Sequence, residues 1–127
     1  MRRIVLVLAV LATLLAAGCK HSGSAKLEGR WRGTRAEGVS PAVQEAANTF
    51  ATQTEIVAKG NLIAITTPST KPQQSTYVVD DESKTTVVLH TEKDVTTRET
   101  FAFNNDGKTM SWRVGDGRTI VFTKLKD

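Results

Sequence analysis

Residues 101–124 read FAFNNDGKTMSWRVGDGRTIVFTK, and the reading of this stretch decides the fold. Apolar side chains recur at every second position: Phe101 and Phe103, then Met110, Trp112 and Val114, then Ile120 and Phe122. A period of two belongs to a β-strand with one dry face. Between the runs stand Asn105-Asp106-Gly107-Lys108 and Gly115-Asp116-Gly117-Arg118. Asp-Gly between alternating runs is the strongest short-range signal for a hairpin, because the tight turn needs positive φ, which glycine adopts without steric cost. The stretch therefore predicts antiparallel strands joined by tight turns.

The same texture extends towards the N-terminus. EGRWRGTRA (28–36) alternates around Trp31, with Gly33 weakening or bending the strand. NLIAITT (61–67), STYVVDD (75–81), KTTVVLHTE (84–92) and VTTRETFAF (95–103) are further short candidates. Threonine, β-branched and suited to a pleated surface with one face in water, occurs 17 times between residues 19 and 127. Lys59-Gly60-Asn61 and Asp81-Glu82-Ser83 read as turns, and Pro68 and Pro72 as the brackets of a longer loop. One segment departs from this pattern. In Ser40-Pro41-AVQEAANTFATQ, residues Val43, Ala46, Ala47, Phe50 and Ala51 form a helical stripe. Ser40 is placed to cap that helix, and Pro41 fits its first position. A mostly β fold is predicted: a small antiparallel meander barrel of about seven or eight strands, with one short α-helix towards the N-terminal side. Closure removes the exposed edges that so short-stranded a sheet would otherwise carry.

The N-terminus has a different composition. Arg2 and Arg3 precede an apolar or small run from Ile4 to Ala17, followed by Gly18 and the sole cysteine, Cys19. A basic flank, an apolar run and a small-residue cleavage zone make an export signal. The 14-residue run from Ile4 to Ala17 is too short to cross about 30 Å of hydrocarbon at 1.5 Å per residue. One cysteine excludes an intrachain disulfide. Without residues 1–18 the chain keeps 109 of its 127 residues, enough for one domain. The same cut removes two arginines, so 15 basic side chains face 13 acidic ones and the net charge falls from +4 to +2. Arg30, Arg32 and Arg35 are interrupted by Glu28 and Glu37. No basic stripe with interleaved aromatics is present, so no nucleic-acid partner is expected. Residues 20–26, KHSGSAK, have nothing to bury and read as a flexible tether.

Leu15-Ala16-Ala17-Gly18-Cys19 resembles the lipobox of bacterial lipoproteins, with leucine four residues before the cysteine and Ala16 in its more usual place. The resemblance implies a diacylglycerol thioether on Cys19, cleavage between Gly18 and Cys19, and a third acyl chain. It also implies a bilayer as partner. Lysine rather than aspartate at position 20 implies the outer membrane, facing the periplasm, if the organism has two membranes. Two or three acyl chains anchor stably where one would bind only marginally. The order of elements resembles the lipocalin-like β-barrel domains of such lipoproteins. The matching residues are Gly29-x-Trp31, then Phe101-x-Phe103-x-x-Asp106-Gly107-x-x-Met110-x-Trp112, then Ile120-x-Phe122-x-Lys124. The expected division is a signal at 1–18, lipidated cysteine and tether at 19–26, and a barrel domain at 27–127. In related barrels the first-strand tryptophan packs across the closed end, which implies that role for Trp31. True lipocalins are longer and often carry disulfides.

No reaction is named by the sequence. His21 lies in the tether, and His90 shares a strand face with Val88, opposite Val87 and Leu89. Asp80-Asp81-Glu82 enters a turn and lacks EF-hand spacing. There is no Gly-rich phosphate loop, HExxH, GxSxG or CxxC. No metal, cofactor or catalytic residue is expected. Glu99 shares its side with Phe101 and Phe103, the one polar group on an apolar face, and so belongs towards a barrel mouth or interior. There it serves either to pair with an arginine or to recognise a ligand cation. Trp31, Phe101, Phe103, Met110, Trp112 and Phe122 fill a core or line a ligand cavity, and Tyr77 belongs with them as core. Three functional classes follow. A noncatalytic envelope module would bind another protein or the cell wall. A carrier or sensor would hold a small apolar ligand in the barrel. A hydrolase would need His90 beside a serine or carboxylate in a cleft, which no motif supplies.

Overall fold

A computed structural model describes residues 21–126. The leader 1–18 and the lipidation and cleavage expected at Gly18 and Cys19 lie outside the described residues.

Eight strands close into a barrel. They are β2 (Gly29–Glu37), β3 (Glu55–Lys59), β4 (Leu62–Thr67), β5 (Thr70–Glu82), β6 (Thr86–Thr91), β7 (Asp94–Phe103), β8 (Thr109–Gly115) and β9 (Arg118–Lys124), preceded by a two-residue β1 (His21–Ser22). From β2 to β9 each strand pairs antiparallel with its successor, and β9 returns to pair with β2. In this coarse architecture the barrel is lipocalin-like. The predicted hairpins are present: Gly107 and Gly117 adopt φ of 67° and 69° in the turns before β8 and β9. The strand β3 was not among the alternating segments, because TEIVAK is short and its pairing with β4 through Lys59-Gly60-Asn61 defines it.

Inward side chains follow the period of two. Trp31, Ile56, Ile63, Tyr77, Val79, Val87, Leu89, Phe101, Met110 and Phe122 are all at most 2% exposed and form one core. Trp31 meets Phe103 edge to face at 5.9 Å. Its indole N–H donates to the Leu27 carbonyl at 2.9 Å, and the Lys124 ammonium lies over its ring. Residues 21–126 themselves supply this core and close the barrel around it.

Several expectations are corrected. The tether reading fails for residues 21–26, which pack on the barrel. There β1 pairs with β5 at His21↔Val79 and Ser22↔Val78, on the edge left free where β4 begins. The Ser24 amide donates to the buried Tyr77 hydroxyl at 2.8 Å, Lys26 bonds Glu82 at 2.8 Å, and Leu27 is fully buried. The segment has few apolar groups of its own, but it satisfies polar groups at the barrel end. Pro68 and Pro72 do not bracket a long loop either. Pro68-Ser69 is a tight turn, and Pro72 lies in the exposed start of β5, whose ladder with β4 is irregular there.

The helix also differs in its facing. A 3₁₀ turn, Pro41–Val43, leads into α1 (Gln44–Thr52), and Ser40 makes no side-chain cap. Of the predicted stripe only Ala51 is fully buried, while Val43 is 49% and Phe50 37% exposed. The side turned to the barrel carries Gln44 and Asn48: Asn48 Oδ1 accepts from the Ala36 amide and Gln44 Nε2 donates to the Ala36 carbonyl. The ladder between β2 and β9 shifts register at Gly33/Arg35. At the C-terminal end of the helix, the carbonyl of Ala51 approaches Gly33 so closely that a Cβ there would lie 1.9 Å from it. The glycine that reads as a weak point in a strand is the seat of the helix.

Candidate functional site

The two ends of the barrel are built differently. Where β2 begins and β9 ends, Leu27, Trp31, Phe103, Met110 and Phe122 fill the interior. At the opposite end, where α1 leans over β2, the interior stays open. A cavity of about 740 Å³ lies there, lined chiefly by Ala36, Val39, Ala47, Phe50, Trp112, Val114 and Ile120, with Glu99 and a rim of Thr67, Thr97, Arg98, Arg113, Asp116 and Arg118. The volume lies within the 300–1,000 Å³ of typical ligand sites, and the wall is mostly apolar, with the charged groups gathered at the rim and at Glu99.

Alternation positions the polar group. In β7, Phe101 and Phe103 point inward and are buried, so Glu99, two residues earlier, points inward as well and is half-buried. Its neighbour across the ladder is Leu89, also inward. The Trp112 indole N–H donates to Glu99 Oε1 at 3.1 Å. Trp112 stacks on Phe101 at 6.0 Å and 15°, and tilts against Phe122 at 6.3 Å. Glu99 and Trp112 thus make the floor of the cavity, above the aromatic plug.

The structure divides the residues expected to line a ligand or fill a core. Trp31, Phe101, Phe103, Met110 and Phe122 are core, between 0% and 7% exposed. Of that set, Glu99 and Trp112 face the cavity. Its other walls were not read from the sequence. Ala47 and Phe50 belong to the helical stripe, which was visible, but its place over the mouth was not. Ala36 and Ile120 carry ordinary alternation, and Val114, expected beside Trp112, is 43% exposed at the rim because the ladder shifts between Arg113 and Gly115.

Other titratable clusters lie outside the cavity. On the outer face, His90 Nδ1 lies 2.7 Å from Asp80 Oδ2, and Arg98 Nε lies 3.0 Å from the same oxygen. Val87 and Leu89 are buried, as expected for the strand face opposite His90. At the plugged end, Glu82 holds Lys26 at 2.8 Å and His21 at 3.3 Å. Asp80 and Glu82 of the acidic stretch are therefore engaged by side chains of the fold, while Asp81 is exposed. Among the described residues no group of three or more His, Cys, Asp or Glu side chains is placed to hold a metal. Glu55 bonds Arg30 and Arg32, and its carboxyl is held below its ordinary range chiefly by the hydrogen bond from Arg30. Burial raises the Tyr77 hydroxyl above its ordinary value. At the start of β7, Asp94 is held low by hydrogen bonds from Thr97 and Thr96.

No helix among the described residues is long and apolar enough to cross a membrane. In comparisons with known proteins, no family model matches the chain, and neither a curated protein nor a solved structure is similar to it.

Proposed function

We propose that this chain is a lipid-anchored envelope lipoprotein with a noncatalytic binding role, and that its binding site is the cavity at the barrel mouth. The observation that carries this reading is the half-filled barrel. One end is plugged by five large side chains, while the other keeps about 740 Å³ beneath a helix that could have closed it. A domain this small gains most from filling its interior, so an open, apolar half is costly unless something occupies it. A small apolar ligand suits the walls. The anchor rests on the sequence around Cys19, and the bilayer is the partner it implies; the outer membrane is the location if the organism has two. A protein or wall partner is the second reading, favoured by the exposed Val43, Phe50 and Val114 around the mouth. A hydrolase finds less support, since His90 is paired to Asp80 on the outer face of the barrel, away from the cavity.

Native mass spectrometry of residues 20–127, made in a bacterial periplasm and purified without detergent, tests the ligand reading. A reproducible extra mass that disappears on denaturation is expected. A bare chain that also fails to take up any apolar probe would overturn it.

A further inference from the structure

Resting on the ligand-binding reading above, the charges around the cavity narrow the ligand class. Five ionised side chains border it: Arg98, Glu99, Arg113, Asp116 and Arg118. Four of these belong to the rim or to the outside. Arg98 is turned outward to Asp80, at 3.0 Å. Arg113 is exposed and alternates with the inward Trp112. Asp116 and Arg118, of opposite sign, flank the exposed turn at Gly117, and the Arg118 guanidinium lies along the rim against Gly115. The charge on the floor is that of Glu99.

Glu99 has unused capacity. A carboxylate offers about four lone-pair positions, and among the described residues the one hydrogen bond to the Glu99 carboxylate comes from Trp112. None of the salt bridges among the described residues includes it. The Trp112 indole N–H holds one carboxylate oxygen in place, which leaves the other to a ligand. That second oxygen is not among the buried polar atoms that lack a partner, so it is accessible from the cavity, where a cationic group would gain a charge-assisted hydrogen bond. An anionic head on the same floor would meet repulsion and be left at the rim.

We infer that the cavity selects amphipathic cations: an ammonium or guanidinium head against Glu99 and Trp112, with an apolar body along Ile120, Ala36 and Phe50. Three probes of one chain length separate the possibilities: decyltrimethylammonium, decan-1-ol and decanoate, each titrated below micelle formation into residues 20–127. Calorimetry and the fluorescence of Trp112 report binding, since Trp31 is sealed in the plug. The cation should bind about tenfold tighter than the alcohol, a difference of about 1.4 kcal/mol, and decanoate weakest. Glu99→Gln keeps an oxygen to accept from Trp112 but removes the charge, so it should lose the tenfold preference for the cation over decan-1-ol. Equal binding of all three probes, tighter binding of decanoate, or a preference that survives in E99Q would overturn the charge selection while leaving the cavity as a binding site. Binding of none would overturn the ligand reading and this inference together. Should E99Q fail to fold, the ranking of the three probes on the parent chain still decides.

Discussion

Gly33→Ala is the sharpest test of how the helix is seated. The substitution places a methyl group where the Ala51 carbonyl oxygen already stands, 1.9 Å from the new Cβ and 2.7 Å from the carbonyl carbon. Ordinary contact begins near 3.4 Å, so β2 and the end of α1 must part by about 1.5 Å. Both atoms met are backbone, so no side chain can rotate away. The shift stretches the bond from the Gly33 amide to the Thr54 carbonyl, now 2.9 Å, and loosens the fully buried Ala51. Overpacking costs about 1–3 kcal/mol and a lost backbone bond about 1 kcal/mol, against a gain of about 0.4–1 kcal/mol from a stiffer unfolded chain. The net expectation is a loss of about 1–3.5 kcal/mol, with the middle of the range above 2 kcal/mol. Urea unfolding followed by tryptophan fluorescence measures it, with Gly107→Ala as the control. Gly107 has nothing within 4 Å of its added Cβ but a φ of 67°, so its cost is backbone strain alone, about 1 kcal/mol. A G33A chain as stable as G107A, or more stable, would refute the close approach of helix and strand.

Four further outcomes are expected. Tyr77→Phe leaves the buried Ser24 amide without its acceptor, costing about 1–3 kcal/mol, and faster hydrogen exchange at Ser24 would reveal it; unchanged exchange would count against the docked segment. Glu55→Gln should cost at most about 1 kcal/mol at neutral pH, because Arg30 and Arg32 are half-exposed and salt screens them. The Glu55 carboxyl is held low in the folded chain, so its contribution is present above the ordinary carboxylate pKa and disappears as pH falls through the lowered value; a difference from the parent that grows on acidification would contradict this sign. The Tyr77 hydroxyl is raised instead, so its neutral form stabilises the fold below its ordinary pKa, and chemical unfolding should become easier as pH rises above about 10. Cys19→Ser should leave the leader uncut and remove the added lipid mass from the chain recovered with the membrane fraction; an unmodified thiol on the parent chain would remove the anchor from the proposed function.

The strands were legible because their causes are local. Asp106-Gly107 and Asp116-Gly117 carry their turn geometry in the dipeptide, and Phe101, Met110 and Phe122 declare the inward face by alternation alone. The helix was legible as a helix but not in its orientation. Its apolar stripe suggested a buried face, whereas Gln44 and Asn48 are turned inward by the backbone polar groups of Ala36, whose need arises only once β2 has shifted its register. The N-terminal residues misled for a similar reason. KHSGSAK has only an alanine to announce burial, yet residues 21–26 are held by a tyrosine hydroxyl and a glutamate more than 50 residues away. The site was half-readable: Glu99 stood out as polar on an apolar face, but which half of the barrel would be filled depends on side-chain volumes meeting across strands.

The meander leaves one seam between distant parts of the chain. Every other barrel pairing joins neighbours in sequence, but β2 waits for β9, and the Thr34 hydroxyl bonds the Val121 carbonyl across 87 residues. Because β9 is the last strand of the barrel in chain order, a growing chain cannot close the barrel until all eight strands have been made. The exposed edge of β2 persists until then, and closure of so long a loop is slow compared with local pairing. For a chain that is exported, as proposed, this order keeps the polypeptide open enough to thread through a membrane channel and postpones folding to the far side.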